Sequence, residues 1–279
     1  MNPFTRFVPY TLFFAVVAVL PAAGTVERTL ERTYSVAPGS LVRIDISGGP
    51  ITATIGPAGA VTLTLKQEIR ASSEAEADEL LSHFEISATQ QGDEVKLIER
   101  SREKLAWLHQ WNNAVHFRAE LTVPANVRLD LDTSGGSITV HGETSAALRA
   151  NTSGGSITVD GGASDLDLDT SGGGIKVGRA LGKLRADTSG GSIAVAYVGP
   201  AVTDVNLDTS GGGINVGVDP AAKLSLEADT SGGSVKVEGL SFEASSREHS
   251  HADGPINGGG ARLRADTSGG SIVVHRAES

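Results

Sequence analysis

At 279 residues and 28.6 kDa the chain has room for one large domain or two ordinary ones. Its 35 glycines, about twice the usual share of roughly 7%, and only 4% aromatics exclude a helical globule packed on aromatic side chains. The lack of cysteine excludes disulfides, thiolate nucleophiles, Cys-ligated zinc and iron–sulfur clusters. A net charge of −10 leaves no broad cationic field for a phosphate backbone, so nucleic acid is not an expected partner.

Residues 1–24 read as a secretory signal peptide. Arg6 supplies the positive start, Leu12 to Leu20 is an unbroken apolar run, and Pro21 to Gly24 offers small residues for cleavage. The run is short of the about 20 apolar residues a membrane span needs, so no stable span is expected after cleavage. An uncleaved N-terminal anchor is the alternative. With no Cys there is no lipobox, and removal of Arg6 without any acid makes the mature chain still more negative.

Residues 25–55 contain the first, degenerate copy of a repeat, Asp45-Ile46-Ser47-Gly48-Gly49-Pro50-Ile51. The full form, D/N-T-S-G-G-S/G-I/V-x-V, begins at Asp132, Asn151, Asp169, Asp187, Asp208, Asp229 and Asp266, with spacings of 19, 18, 18, 21, 21 and 37. Apolar residues alternate with polar ones on both sides of the glycines, as in Leu129-Asp130-Leu131 and Ile138-Thr139-Val140, which predicts strands with one buried face. Two strands and two turns per copy predict an all-β protein, a flattened β-solenoid (β-helix) of about eight short rungs. The glycine pairs Gly135–Gly136, Gly154–Gly155, Gly172–Gly173, Gly190–Gly191, Gly211–Gly212, Gly232–Gly233 and Gly269–Gly270 are assigned to structural turns, on the expectation of positive φ.

Two columns bear on the stacking. The outward column reads Asp130, Arg149, Asp167, Arg185, Asn206, Glu227 and Arg264, and beside it the inward column reads Leu131, Ala150, Leu168, Ala186, Leu207, Ala228 and Ala265. One repeat per rung sets opposite charges on neighbouring strands, whereas two repeats per coil stack like on like, so the first is the expectation.

Residues 56–125 break the pattern and read as an inserted α+β capping segment. A strand is expected over Val61–Leu65 and a helix over Ser73–Phe84, with Ser73 and Glu76 as a capping box; strands follow at Phe84–Ala88, Glu94–Ile98 and Val115–Val123. Repeats resume over 126–279, interrupted at 240–257 by an excursion that reads as a longer rung or a protruding hairpin.

The run Thr122-Val123-Pro124-Ala125-Asn126-Val127-Arg128-Leu129 leading into Asp132-Thr133-Ser134-Gly135-Gly136-Ser137-Ile138 closely resembles bacterial exported proteins of the putative-adhesin β-strand-repeat family, a domain of unknown function. The chain is similar also to the head domain of putative autotransporter adhesins, whose Gly-Ile-Asn signature is echoed at Gly213-Ile214-Asn215 and, with Pro, at Pro255-Ile256-Asn257. The resemblance covers nearly the whole mature chain and brings no catalytic residues with it. The chain ends at Ser279, right after the last repeat, so a C-terminal translocator barrel is not expected.

Chemistry is sparse. The repeated Asp invites structural Ca²⁺, but Asp precedes the glycines and Ile or Val stands where a second acidic ligand set would begin, so turn capping is the reading and neither metal nor cofactor is expected. The repeated Thr invites an ice-binding array, but the alternation turns Thr133 inward. His249 and His251 share one face of a short strand and are kept, with Trp107 and Trp111, as candidate partner-binding residues. Asp165, Asp167 and Asp169 are the acids a glycosidase would draw on. The leading reading is an exported envelope protein, periplasmic or extracellular. It would act as a non-enzymatic adhesin-like or scaffold module that binds an envelope protein or polysaccharide; the alternative is a β-helical carbohydrate-active lyase or hydrolase.

Overall fold

The computed structural model describes residues 24–56, 59–102 and 114–278. Strands β1 (Val26–Ser35), β2 (Leu41–Ile46), β3 (Ile51–Gly56) and β4 (Ala60–Ile69) precede helix α1 (Glu74–Ser82), and β5 (Phe84–Gln91), β6 (Glu94–Ser101) and β7 (Val115–Pro124) follow it. The repeats supply β8 (Arg128–Thr133), β9 (Ile138–His141), β10 (Leu148–Thr152), β11 (Ile157–Thr170), β12 (Ile175–Thr188), β13 (Ile193–Val198), β14 (Asp204–Thr209), β15 (Ile214–Val218), β16 (Leu224–Thr230) and β17 (Val235–Glu238). After them come β18 (Ser246–Arg247), β19 (His251–Ile256), β20 (Ala261–Thr267) and β21 (Ile272–Arg276).

Period-two alternation becomes two faces of parallel strands around a dry core. On the first face the order is β6, β2, β8, β10, β11, β12, β14, β20, β16 and, antiparallel, β19. On the second it is β1, β4, β7, β3, β9, β11, β12, β13, β15, β21 and β17, with β4 antiparallel to both its neighbours. Strands β11 and β12 run through both faces, bending at bulges near Gly162 and Ala163. Arg149 stands between Asp130 and Asp167, so consecutive copies are direct neighbours and each repeat is one rung. Inside, Leu131, Ala150, Leu168 and Ala186 alternate large and small, all fully buried.

Among the repeat copies, rung order departs from chain order once. The last copy, β20–β21, lies between the rung of β14–β15 and that of β16–β17. The long interval before Asp266 is the return path, and β19 within it folds back antiparallel on β16 with Ala252 and Ile256 buried. The excursion is therefore an edge cover rather than a protruding hairpin: an open solenoid end exposes unpaired backbone and apolar core together.

The corners hold by close approach, not by special dihedrals. None of the glycines in the seven full repeats has positive φ; in the degenerate copy Gly49 does. A Cβ on the second glycine would instead stand 1.9–2.4 Å from a backbone carbonyl oxygen of the neighbouring corner at Gly136, Gly155, Gly173, Gly191, Gly212, Gly233 and Gly270. The first glycine is freer, and a Cβ on Gly135 meets nothing within 4 Å. Each corner Thr uses this proximity: Thr188 Oγ1 donates to the Gly173 carbonyl of the neighbouring rung at 2.7 Å and accepts the Gly191 N–H of its own at 3.3 Å. The same donation recurs at Thr133, Thr152, Thr170, Thr209, Thr230 and Thr267 at 2.6–2.9 Å.

At the other end β6 and β7 flank the first rung and β4, β1 and β5 extend the two faces beyond it. Helix α1 starts at Ser73, whose Oγ accepts the Glu76 N–H at 3.2 Å. The Glu76 carboxylate reaches back one residue further than a capping box requires, to the N–H and hydroxyl of Ser72. Ala77 and Leu80 face the core, and Arg28 of β1 clasps the helix through Glu74 and Asp78.

Gly191→Ala should lower stability by about 1–3 kcal/mol through overpacking, whereas Gly135→Ala should be near neutral. Thr188→Val keeps the shape but strands a buried carbonyl and N–H, at a cost of roughly 1–3 kcal/mol; Thr158→Val, outward on the second face, should cost little. Thermal melts of the four variants check this, and equal losses at Gly135 and Gly191 would refute the close-approach account.

Candidate functional site

The corner ladder stops at the first rung. In β8, Thr133 precedes Ile138 by five residues, joined by the glycine corner; in the flanking strands the corresponding places are Glu99 and Ala119, twenty residues apart. Glu99 stands beside Ile46 at the end of the Thr column and is fully buried. Ser47 donates its N–H to Glu99 Oε2 at 2.8 Å and its hydroxyl to both carboxylate oxygens at 2.7–2.9 Å. Burial pushes the Glu99 carboxyl upward, against the opposing pull of the Ser47 bonds and of Arg100.

With the tight corner replaced by a long connection, a cavity of about 790 Å³ opens beside Ser47, Gly48, Gly49 and Pro50. Its inner wall is one row across three strands, Arg28 of β1, Gln67 of β4 and Phe117 of β7, in direct register. Phe84 meets Phe117 edge to face with centroids 5.1 Å apart, and Val115 completes the apolar side. The charge of Arg28 is answered by Glu74 and Asp78. Gln67 is 8% exposed and its side-chain amide has no hydrogen-bond partner among the described residues. Its amide faces the cavity, where a bound molecule can reach it. Sequence reasoning missed it, although Gln67 is the one polar residue in the apolar phase Val61, Leu63, Leu65, Ile69.

Along the first face the repeated acids form a ladder, Asp45, Asp132, Asn151, Asp169, Asp187, Asp208, Asp266 and Asp229, each beside the next. Arg185 and Arg264 reach along their own strands to Asp187 and Asp266, at 2.6 and 2.5 Å. On β14 the equivalent position is Asn206, so Asp208 has no guanidinium on its own strand. Partial burial, followed by the charges of Asp187 and Asp266, raises its carboxyl above the usual range. Asn151 relieves the ladder elsewhere by donating its amide N–H to Asp132 at 3.1 Å.

The ladder ends at His251, whose Nδ1 lies 2.6 Å from Asp229 Oδ1; this contact raises the imidazole pKa. His249 is exposed, and its carbonyl accepts the Val235 N–H at 2.9 Å. Trp107 and Trp111 lie outside the described residues. Asp165 accepts the Lys183 N–H at 2.9 Å, Asp167 lies 3.9 Å from Arg149, and Asp169 belongs to the ladder. Among the described residues no group of three or more His, Asp or Glu gathers as metal ligands would.

Asp208→Asn should raise the melting temperature at neutral pH. A carboxyl whose folded pKa lies above its unfolded value of about 3.9 destabilises the fold fully above the folded pKa and not at all below the unfolded one. The gain should shrink on acidification and vanish below about pH 3; a pH series of melts on both proteins measures it, and a gain that grows in acid would contradict the ladder repulsion.

Among curated proteins none matches the chain. A solved structure named a putative adhesin from Bacteroides fragilis is 13% identical, covering 88% of this chain and 97% of that one with a TM-score of 0.46. Another putative adhesin, from Parabacteroides merdae, is 12% identical over 88% and 95% with a TM-score of 0.37. A putative cell adhesion protein from Clostridium sporogenes is 11% identical over 89% and 100% with a TM-score of 0.35. The model of the Toastrack DUF4097 family matches residues 119–275, the stretch that carries the in-register Thr–Gly corners. The chain belongs to the Toastrack DUF4097 family.

Proposed function

We propose that this is an exported envelope protein, freed of residues 1–24, that acts as a non-enzymatic adhesin-like or scaffold binding module. Its solenoid of about eight rungs holds a protein or polysaccharide partner, and segment 56–125 caps one end. The observation that carries this reading is how the side chains of the first face are used. The acids a glycosidase would need are committed to the scaffold: Asp165 to a backbone N–H, Asp167 to the neighbouring Arg149, and Asp169 to the ladder. No helix among the described residues is long and apolar enough to cross a membrane. Identical rungs present the same surface repeatedly, so an address for a partner lies where repetition breaks. Those places are the connection bearing Trp107 and Trp111 and the edge cover bearing His249 and His251.

The test is a glycan array and an envelope-protein pull-down on the chain from Thr25 onward, run beside an assay for released sugars. Saturable retention without product is expected. Product release at rates above a heat-denatured control would replace this reading with the carbohydrate-active one.

A further inference from the structure

The cavity beside the first corner has the composition of a ligand site rather than of a packing defect. Packing defects in solenoid cores are apolar and dry, since a polar group beside an empty space loses its hydration without recompense. Here the cavity wall carries Gln67, a residue 8% exposed whose amide makes no hydrogen bond to the described residues and has two donors and an acceptor to offer. Its volume of about 790 Å³ lies within the range of small-molecule sites, roughly 300–1,000 Å³.

Charge narrows the ligand class. Arg28, the cation in the inner row, already holds two carboxylates, so it has no charge left for an anion. Glu99, the buried acid nearby, is occupied by Ser47 and does not line the space. Glu27, Glu68, Lys66, Arg70 and Arg118 also border the space, on the opposite phase of the same strands, and carry both signs, so neither sign of charge dominates; the inner row offers a neutral amide beside two aromatic rings and an aliphatic side chain. A sugar ring matches it, with C–H faces for Phe84 and Phe117 and hydroxyls for Gln67.

We propose that this cavity binds an uncharged sugar residue, at an end or branch of a polysaccharide, with Gln67 as the residue that recognises its hydroxyls. The inference rests on the binding-module reading and names its ligand class and site. The broken corner supplies the reason for the location: the corners inside the stack lie against the next rung, about 4.7–4.9 Å away, and the outermost one against Ser250 and His249, whereas the interrupted repeat opens the space beside Ser47 to Pro50.

The experiment is calorimetric titration of the chain from Thr25 onward with cellotetraose, maltotetraose and tetra-N-acetylchitotetraose as neutral probes and tetragalacturonate as the anionic one. Saturable binding of at least one neutral probe is expected, weakened about tenfold or more in Gln67→Met and Gln67→Leu. Both variants should melt close to the parent temperature, because Gln67 makes no hydrogen bond to the described residues that either would break. Binding that survives both substitutions, binding of tetragalacturonate alone, or no binding by any neutral probe overturns the proposal. Retention on the glycan array that is unchanged by Gln67→Met leaves the binding module standing and removes this site. Retention of neither glycan nor protein there removes both.

Discussion

The hydrogen bond from each corner Thr hydroxyl to the glycine carbonyl of the neighbouring corner is the constraint on which the rest of the structure depends. A hydroxyl in a dry core must find both a donor and an acceptor, and here its own corner supplies one and the neighbouring corner the other. That geometry is available only when corners stack at the strand spacing in strict register. It also requires the second glycine to lie against the adjacent backbone, where a Cβ has no space. Thr and Gly are thus two halves of one requirement.

A ladder of this kind cannot end without leaving groups unpaired, and the two ends solve the problem differently. At one, Glu99 takes the place of the missing Thr and receives the Ser47 N–H and hydroxyl, a buried carboxylate standing in for a rung. At the other, β19 turns antiparallel onto β16 and His251 meets Asp229, setting an imidazole with a raised pKa against the last acid of the column. The insertion of β20 between β14 and β16 belongs to the same solution, since it puts the final repeat inside the stack and leaves the covered rung outermost.

Stacking identical copies also concentrates charge. The acidic column would repel itself along the whole first face were it not for Arg185 and Arg264 beside their own acids and for Asn151 within the column. Such exposed pairs contribute little stability individually, but they decide which rungs are tense. In the inner row of the cavity wall the Arg28 guanidinium is paired with Glu74 and Asp78 of the helix, beside the Gln67 amide and the aromatic rings.

Local pattern was enough to place most elements. The strand over Val61–Leu65, the helix after Ser73, the strands from Phe84, Glu94 and Val115, and the pairing of consecutive repeats all follow from period, caps and charge alternation, each a property of residues close in sequence. The reason for the glycines did not follow, because a Cβ clash with Gly173 from eighteen residues away leaves no mark in local conformation. Nor did the place of the last repeat, since β14, β20 and β16 carry the same corner and any of them satisfies its neighbour. Gln67 was visible as a polar residue in an apolar phase, yet whether such a residue finds a partner depends on what the opposite wall brings to it. The sequence by itself determined the repeating unit, its strands and its inward and outward faces, because those depend on alternation and turn chemistry within about twenty residues. Only the tertiary structure decided the order of the last rungs, the means by which each end closes and the cavity where the first corner is left open, because these depend on contacts between segments that no local pattern relates.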